Sequence, residues 1–279
     1  LLSSRMLIKE DALKHWMDCF YGYGSWNAKA WFVAFEESGG DLPEDVAERL
    51  DYFTSVHAAN QPTLCDIREL YGNVAARMDG PRATRFSTLY DHRFGSQAVQ
   101  HGGWKNLIAF TSGFQGKKLP DLSEYQKEKF LQPMAGSEAL ITLYPLPAPH
   151  NHAWYYSWLD IPYFSFLKSR KGYQETVYEN RIQAILQQLK THRPQVVLMY
   201  GMTNILDLKK SVQQVFDEAV FKTVKAVNLH TPQYHITEVN GTKLIITTQV
   251  PTLRHNRVET GYDWYSFGKE VSRKDHKQK

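Results

Sequence analysis

Two adjacent carboxylates, Glu36 and Glu37, stand at the end of the apolar run Ala30-Trp31-Phe32-Val33-Ala34-Phe35, and Ser38-Gly39-Gly40-Asp41 follows them. A carboxylate held at the edge of a buried element can orient a water, accept a proton or stabilise a developing cation. The run has the apolar and aromatic content of a fully buried strand. Pro43 with Glu44, Val46, Leu50 and Phe53 then predicts a helix. Such a strand, ending in acids and a glycine turn, is how α/β folds present a site, because ligands bind beyond the carboxyl ends of the strands. If the strand continues through both acids, alternation turns Glu36 and Glu37 to opposite faces and only one meets the pocket. The alternative is that both are solvated loop residues and the glycines only turn the chain.

Other sequence features narrow the chemistry. No Gly-x-Gly-x-x-Gly and no Gly-x-x-x-x-Gly-Lys-Ser/Thr is present, which argues against the common dinucleotide and P-loop sites. A Gly-x-Ser-x-Gly nucleophile elbow is also missing, which lowers the case for an esterase. His150-Asn151-His152 lacks a nearby carboxylate pair, so no metal and no cofactor is expected. Residues 152–166 hold seven aromatics in 15 positions, enough for a packed cluster under a loop or for one or two rings walling a base pocket. Trp154, Tyr155, Tyr156 and Trp158 are the candidates for the second role.

The positioning elements follow from periodicity. Ile8, Ala12, Leu13, Trp16, Met17 and Phe20 repeat at helical spacing, with Cys19 on the apolar side. Residues 138–144 and 195–200 read as two further buried strands, and 174–191 as an amphipathic helix. Gly201 ends the third strand, and Thr203 or Asn204 caps the next helix. Asn240-Gly241 joins two short strands as a hairpin, and a last aromatic helix covers 262–271. The tract 57–133 is polar and locally basic through Arg77, Arg82, Arg85, Arg93 and Lys105, and its length predicts an elaborated insertion. A single α/β domain is expected: a three-layer α/β/α sandwich with a mainly parallel central sheet.

Composition sets limits on partners and compartment. The formal charge of +4 permits a polyanionic partner without demanding one. Two cysteines exclude, within one chain, a disulfide scaffold, a four-thiolate zinc site and an all-cysteine iron–sulfur cluster. No stretch reaches the length of a membrane span, and the first residues lack a signal-peptide core, so a soluble cytoplasmic monomer is expected.

Three segments in this order resemble the uracil-DNA glycosylase superfamily: Val33-Ala34-Phe35-Glu36-Glu37-Ser38-Gly39, Pro194-Gln-Val-Val-Leu-Met-Tyr-Gly201 and Val250-Pro251-Thr252. The resemblance places Glu36 where the catalytic acid sits, with Glu37 or Asp41 shaping the water site. Ala34 stands where the family has glycine, and Val250 where its histidine stabilises the departing base. His255 or Arg254, in the same loop, is the candidate for that vacated role. The family's base-reading asparagine has no counterpart in the second strand, so Thr142, Tyr144 or Asn151 takes its place, with Phe35, Trp154 and Tyr155 as walls. Gly39, Gly40, Thr252, Arg254 and Asn256 are expected at the DNA backbone, and Leu253 as the wedge that fills the stack when a base is turned out. The changed base-reading residues imply a modified pyrimidine, of which glucosylated hydroxymethylcytosine of phage DNA is one, and a role in antiviral defence. Two other readings are a catalytically silent nucleic-acid-binding protein of the same fold and a hydrolase of small nucleosides.

Overall fold

The computed structural model describes residues 8–38, 42–58, 60–78, 85–134, 136–148, 154–225, 231–252 and 262–273. Helix α1 (Glu10–Cys19) buries Ala12, Leu13, Trp16 and Met17 and runs without a break into strand β1 (Phe20–Tyr23). The central strand β2 (Ala30–Ser38) leads to α2 (Pro43–Val56), whose proline starts the first turn, where no N–H partner is lost. Strand β3 (Thr63–Cys65) and short helices α3 (Ile67–Gly72) and α4 (Leu89–Arg93) follow, the helices capped by Asp66 and Thr88. Helices α5 (Gly102–Phe114) and α6 (Leu122–Glu128) precede β4 (Glu138–Ala148), which is buried along its whole length. Two 3-10 helices, Tyr155–Trp158 and Pro162–Lys168, then lead into α7 (Arg170–His192). The rest comprises β5 (Val196–Tyr200), α8 (Ile205–Val215), β6 (Lys222–Val224), β7 (Tyr234–Val239), β8 (Thr242–Ile246) and α9 (Trp264–Ser272).

Among the described residues the strands form one sheet in the order β3-β1-β4-β2-β5-β8-β7-β6. Its centre, β4-β2-β5-β8, is parallel, while β1, β7 and β6 run antiparallel to the neighbours on their inner sides. Phe32 and Trp31, adjacent on β2, point to opposite faces and mark the two helical layers. Phe32 meets Phe110 of α5, which meets Phe267 of α9, whereas Trp31 lies near His192 at the end of α7. The three-layer α/β/α architecture with a mainly parallel sheet is therefore the observed one. Helices α5 and α9 cross so closely that a side chain on Gly113 or Gly268 would collide with backbone of the other helix.

The tract 57–133 contributes edge strand β3 and helix α5, so part of one helical layer comes from it. Asn204 takes the cap position of α8, but its side chain forms no capping bond. The hairpin turn has both Asn240 and Gly241 at positive φ, the conformation that selects this dipeptide. No helix among the described residues is long and apolar enough to cross a membrane.

Glu138, at the amino end of β4 and far along the strand from its carboxyl end, is fully buried and accepts hydrogen bonds from Tyr125 Oη at 3.0 and 3.2 Å. Burial pushes its carboxyl up to about 7. A raised carboxylate pKa means the folded state keeps a proton that the unfolded chain has already released. Stability therefore falls as pH rises from about 4.5 to about 7, by on the order of 3 kcal/mol, and is flat from this group outside that window. Glu138→Gln retains an acceptor for Tyr125 and removes the titration. Urea denaturation across pH 4–8 should show the variant gaining on the wild type as pH rises; a constant difference would contradict the raised pKa.

Candidate active site

The chain leaves β2 to form β4 on one side, then crosses back through α7 to form β5 on the other. Connections that diverge from a central strand open a crevice at its carboxyl end. A cavity of about 820 Å³ lies there, lined by β2 from Ala34 to Ser38, by Thr142 of β4 and by Tyr200 and Gly201 after β5. His101, Gly103 and Trp104 at the start of α5, Arg170 at the start of α7 and Val250-Pro251-Thr252 complete much of the wall. Asn106 holds the last segment in place by donating to Pro251 O at 2.7 Å.

Both acids line this cavity, contrary to simple alternation along β2. The strand does continue through them, but its register against β4 shifts between Glu36 and Ser38, and such irregularities re-aim side chains. Their surroundings differ. Glu37 accepts from Arg49 at 2.9 Å, from Tyr23 Oη at 3.0 and 3.2 Å and from Tyr71 Oη at 3.5 Å. Burial, with the Glu37 charge beside them, raises the pKa of both phenols, so they remain donors. Glu37 is thus a saturated anchor that joins β2 to α2, β1 and α3. Glu36 instead pairs with Arg170, whose side chain is 27% exposed, and stays reachable from the cavity.

Ala34 stands in register with Thr142 on one side and Tyr200 on the other, so one row crosses three parallel strands. The small central residue leaves room between two hydroxyl-bearing neighbours. Thr142 is 2% exposed, yet its Oγ1 has no hydrogen-bond partner among the described residues. A buried hydroxyl without a partner costs roughly 1–3 kcal/mol, which a ligand group in the cavity would recover.

His101 lines the same cavity from the amino end of α5. Its Nδ1 accepts from the backbone N–H of Gly103 at 3.0 Å and of Trp104 at 3.1 Å, so the ring proton sits on Nε2. The ring also stacks on Trp104, with centroids 4.6 Å apart. Burial, aided by Arg93 and His92, lowers the imidazole pKa to about 3. The result is a neutral histidine with a fixed donor edge. Sequence reasoning missed it; a histidine before Gly102-Gly103 at a helix start was the available signal.

Of the residues expected at the site, the fold brings Glu36, Glu37, Phe35, Thr142 and Thr252 to one cavity. Tyr144, Trp154 and Tyr155 do not line it. Tyr144 packs its ring on Phe35, Trp154 donates its indole N–H to Leu167 O at 2.6 Å, and Tyr155 packs on Tyr156. Gly39, Gly40, Asp41, Asn151, Leu253, Arg254, His255 and Asn256 lie outside the described residues, as do His150 and His152. No group of three or more metal-ligating side chains occurs among the described residues.

No family model, curated protein or solved structure matches the chain.

The Glu37–Arg49 pair is almost fully buried, at 10% and 5% side-chain exposure. Breaking such a pair leaves an uncompensated charge, at a cost of about 3–5 kcal/mol. Arg49→Met should lose that much in urea denaturation, and Arg49→Met with Glu37→Gln, which removes both charges and keeps an acceptor for Tyr23 and Tyr71, should regain part of it. A single-variant loss below about 1 kcal/mol would show that Glu37 does not depend on this partner.

Proposed function

We propose that the protein is a DNA glycosylase that hydrolyses the N-glycosidic bond of a modified pyrimidine turned out into this cavity. The observation that carries the reading is the presence, in one crevice, of a reachable carboxylate and a neutral histidine with a fixed donor. Cleavage of the bond builds positive charge on the sugar and leaves the bonding electron pair on the base. Glu36, beside Arg170, stabilises the sugar cation and orients the water whose oxygen adds to C1′; the carboxylate takes the proton this water loses, and the released base anion takes a proton from solvent. His101 Nε2–H meets the negative charge growing on the base, without having to give up its proton. Thr142 and Tyr200 are placed to read polar groups of the base, and Phe35 packs beside them. Arg170, partly exposed in the wall of the cavity, offers a phosphate contact, which favours a nucleic acid over a free nucleoside.

The size of the cavity supports a substituted base. About 820 Å³ is in the range of sites that enclose drug-sized ligands, and a bare pyrimidine fills little of it. Glucosylated hydroxymethylcytosine of phage DNA is the modified base proposed, with defence against the phage as the role. A second reading, a catalytically silent nucleic-acid binder, draws on the Arg170–Glu36 ion pair, which neutralises the carboxylate when no substrate is present.

The test is incubation with DNAs carrying uracil, hydroxymethylcytosine or glucosylated hydroxymethylcytosine, scored for abasic sites by alkali cleavage. Glu36→Gln should lower base release by about 10²–10⁴-fold, and His101→Ala by about 10²–10³-fold. Because His101 is neutral at every pH well above about 3, the rate should show no limb from its titration between pH 5 and 8. Binding of these DNAs with no abasic site on any of them would establish the silent reading instead.

A further inference from the structure

The aromatic run before α7 is divided by burial. Tyr155, Tyr156 and Phe164 are in the core, whereas Trp158 and Tyr163 are 56% and 62% exposed. A tryptophan and a tyrosine so open to water, on two 3-10 helices that pack against each other, contribute little to the core. Basic residues lie over Tyr163 and along the segment that follows it. Lys14 lies over the Tyr163 ring at 5.9 Å, Lys168 ends the second 3-10 helix, and Lys171 follows Arg170 in the first turn of α7. Lys14 and Lys171 have only exposed i,i+4 carboxylate partners, Asp18 and Glu175, which water and salt screen readily. Lys168 forms no ion pair among the described residues. The seven peptide steps from Tyr163 to Arg170 span at most about 25 Å, a few nucleotides of chain, and Arg170 lines the cavity.

We propose that Trp158 and Tyr163, with the cations of Lys14, Lys168 and Lys171, form a track for single-stranded nucleic acid leading to the cavity. Every base has a π face, so exposed rings hold a single strand by stacking while lysines follow its phosphates. A duplex hides those faces in its own stack and offers the rings nothing equivalent. The track extends the proposed glycosylase reading, since it supplies strand preference beside the site that holds the base.

The experiment measures fluorescence anisotropy of labelled oligothymidylate and of a blunt duplex of equal length, from 50 to 300 mM salt, on the full chain. These are chosen conditions on the order of physiological ionic strength. Wild-type protein should bind the single strand more tightly than the duplex. Trp158→Ala with Tyr163→Ala should weaken single-strand binding about tenfold or more and leave duplex binding unchanged. Lys168→Gln with Lys171→Gln should flatten the salt dependence by about 0.7 in slope for each phosphate that is no longer neutralised. All four positions are exposed, and circular dichroism checks that the variants fold. An aromatic variant that binds oligothymidylate like wild type, or a wild type that prefers the duplex, would overturn the track. Glu36→Gln separates this outcome from the function: it should keep the preference for the single strand and lower base release by about 10²–10⁴-fold. Abasic-site formation that survives loss of both rings, with unchanged binding, ends the track and keeps the glycosylase. Ring-dependent binding with no abasic site on any substrate keeps the track and ends the glycosylase.

Discussion

The largely buried charge of Glu37 is the constraint around which the site is arranged. A carboxylate at the end of a central strand with so little contact with water is tolerated only if it is paired. Its partners arrive from three elements: Arg49 from α2, Tyr23 from β1 and Tyr71 from α3. Arg49 is itself placed over the Tyr71 ring at 5.7 Å, so the cation is held on two sides. Satisfying one charge thus fixes where three elements stand around the tip of β2. Glu36, the next residue back, inherits a rigid backbone without sharing the saturation. Two neighbouring glutamates have different chemical reach because of their partners, not their type.

A second charge fixes the floor. Arg181 of α7 is buried and forms no ion pair among the described residues; it donates to the carbonyls of Thr142 and Phe20 at 2.7 Å and of Leu143 at 3.0 Å, with Tyr21 stacked at 3.6 Å. Burial lowers its pKa, and carbonyl dipoles with the Tyr21 ring supply the compensation. The bonds tie β1 to β4 close to the point where Gly22 allows the backbones to approach more tightly than any side chain would permit. Thr142 is therefore held by its carbonyl while its hydroxyl remains for the cavity. A recognition group on a strand pinned this way is more precise than one on a loop.

Much of this was legible in the sequence where local pattern and tertiary demand agree. The run 30–35 is strand because both its faces are buried, and Asn240-Gly241 is a turn because both residues sit at positive φ. Strand β1 was hidden. The helical pattern that begins at Ile8 includes Phe20, and nothing local marks Phe20–Tyr23 as a strand; pairing with β3 and β4 makes it extended. The aromatic run showed its apolarity but not its directions, so Trp154 and Tyr155 were expected at a pocket they do not line. The partners of Glu37 were equally out of reach, since Arg49 and Tyr71 carry no local mark of a shared carboxylate. Residue 101 reaches the neighbourhood of residue 36 only after the whole tract between them has folded.

His101 shows how far such long-range dependence extends. Helix caps are usually Ser, Thr, Asp or Asn, whose side chains satisfy free N–H groups and do nothing more. An imidazole in that position satisfies two of them through Nδ1, and in doing so it must carry its proton on the other nitrogen. Burial keeps the ring neutral, and the positive end of the helix dipole acts in the same direction. The direction of the donor is then set by the helix. The helix is set in turn by Phe110 against Phe32 and by its close crossing with α9 at Gly113 and Gly268. Repacking that crossing would tilt α5 and move the imidazole without touching any residue of the cavity. Core packing on one face of the sheet therefore sets the direction of a donor at the carboxyl ends of its central strands.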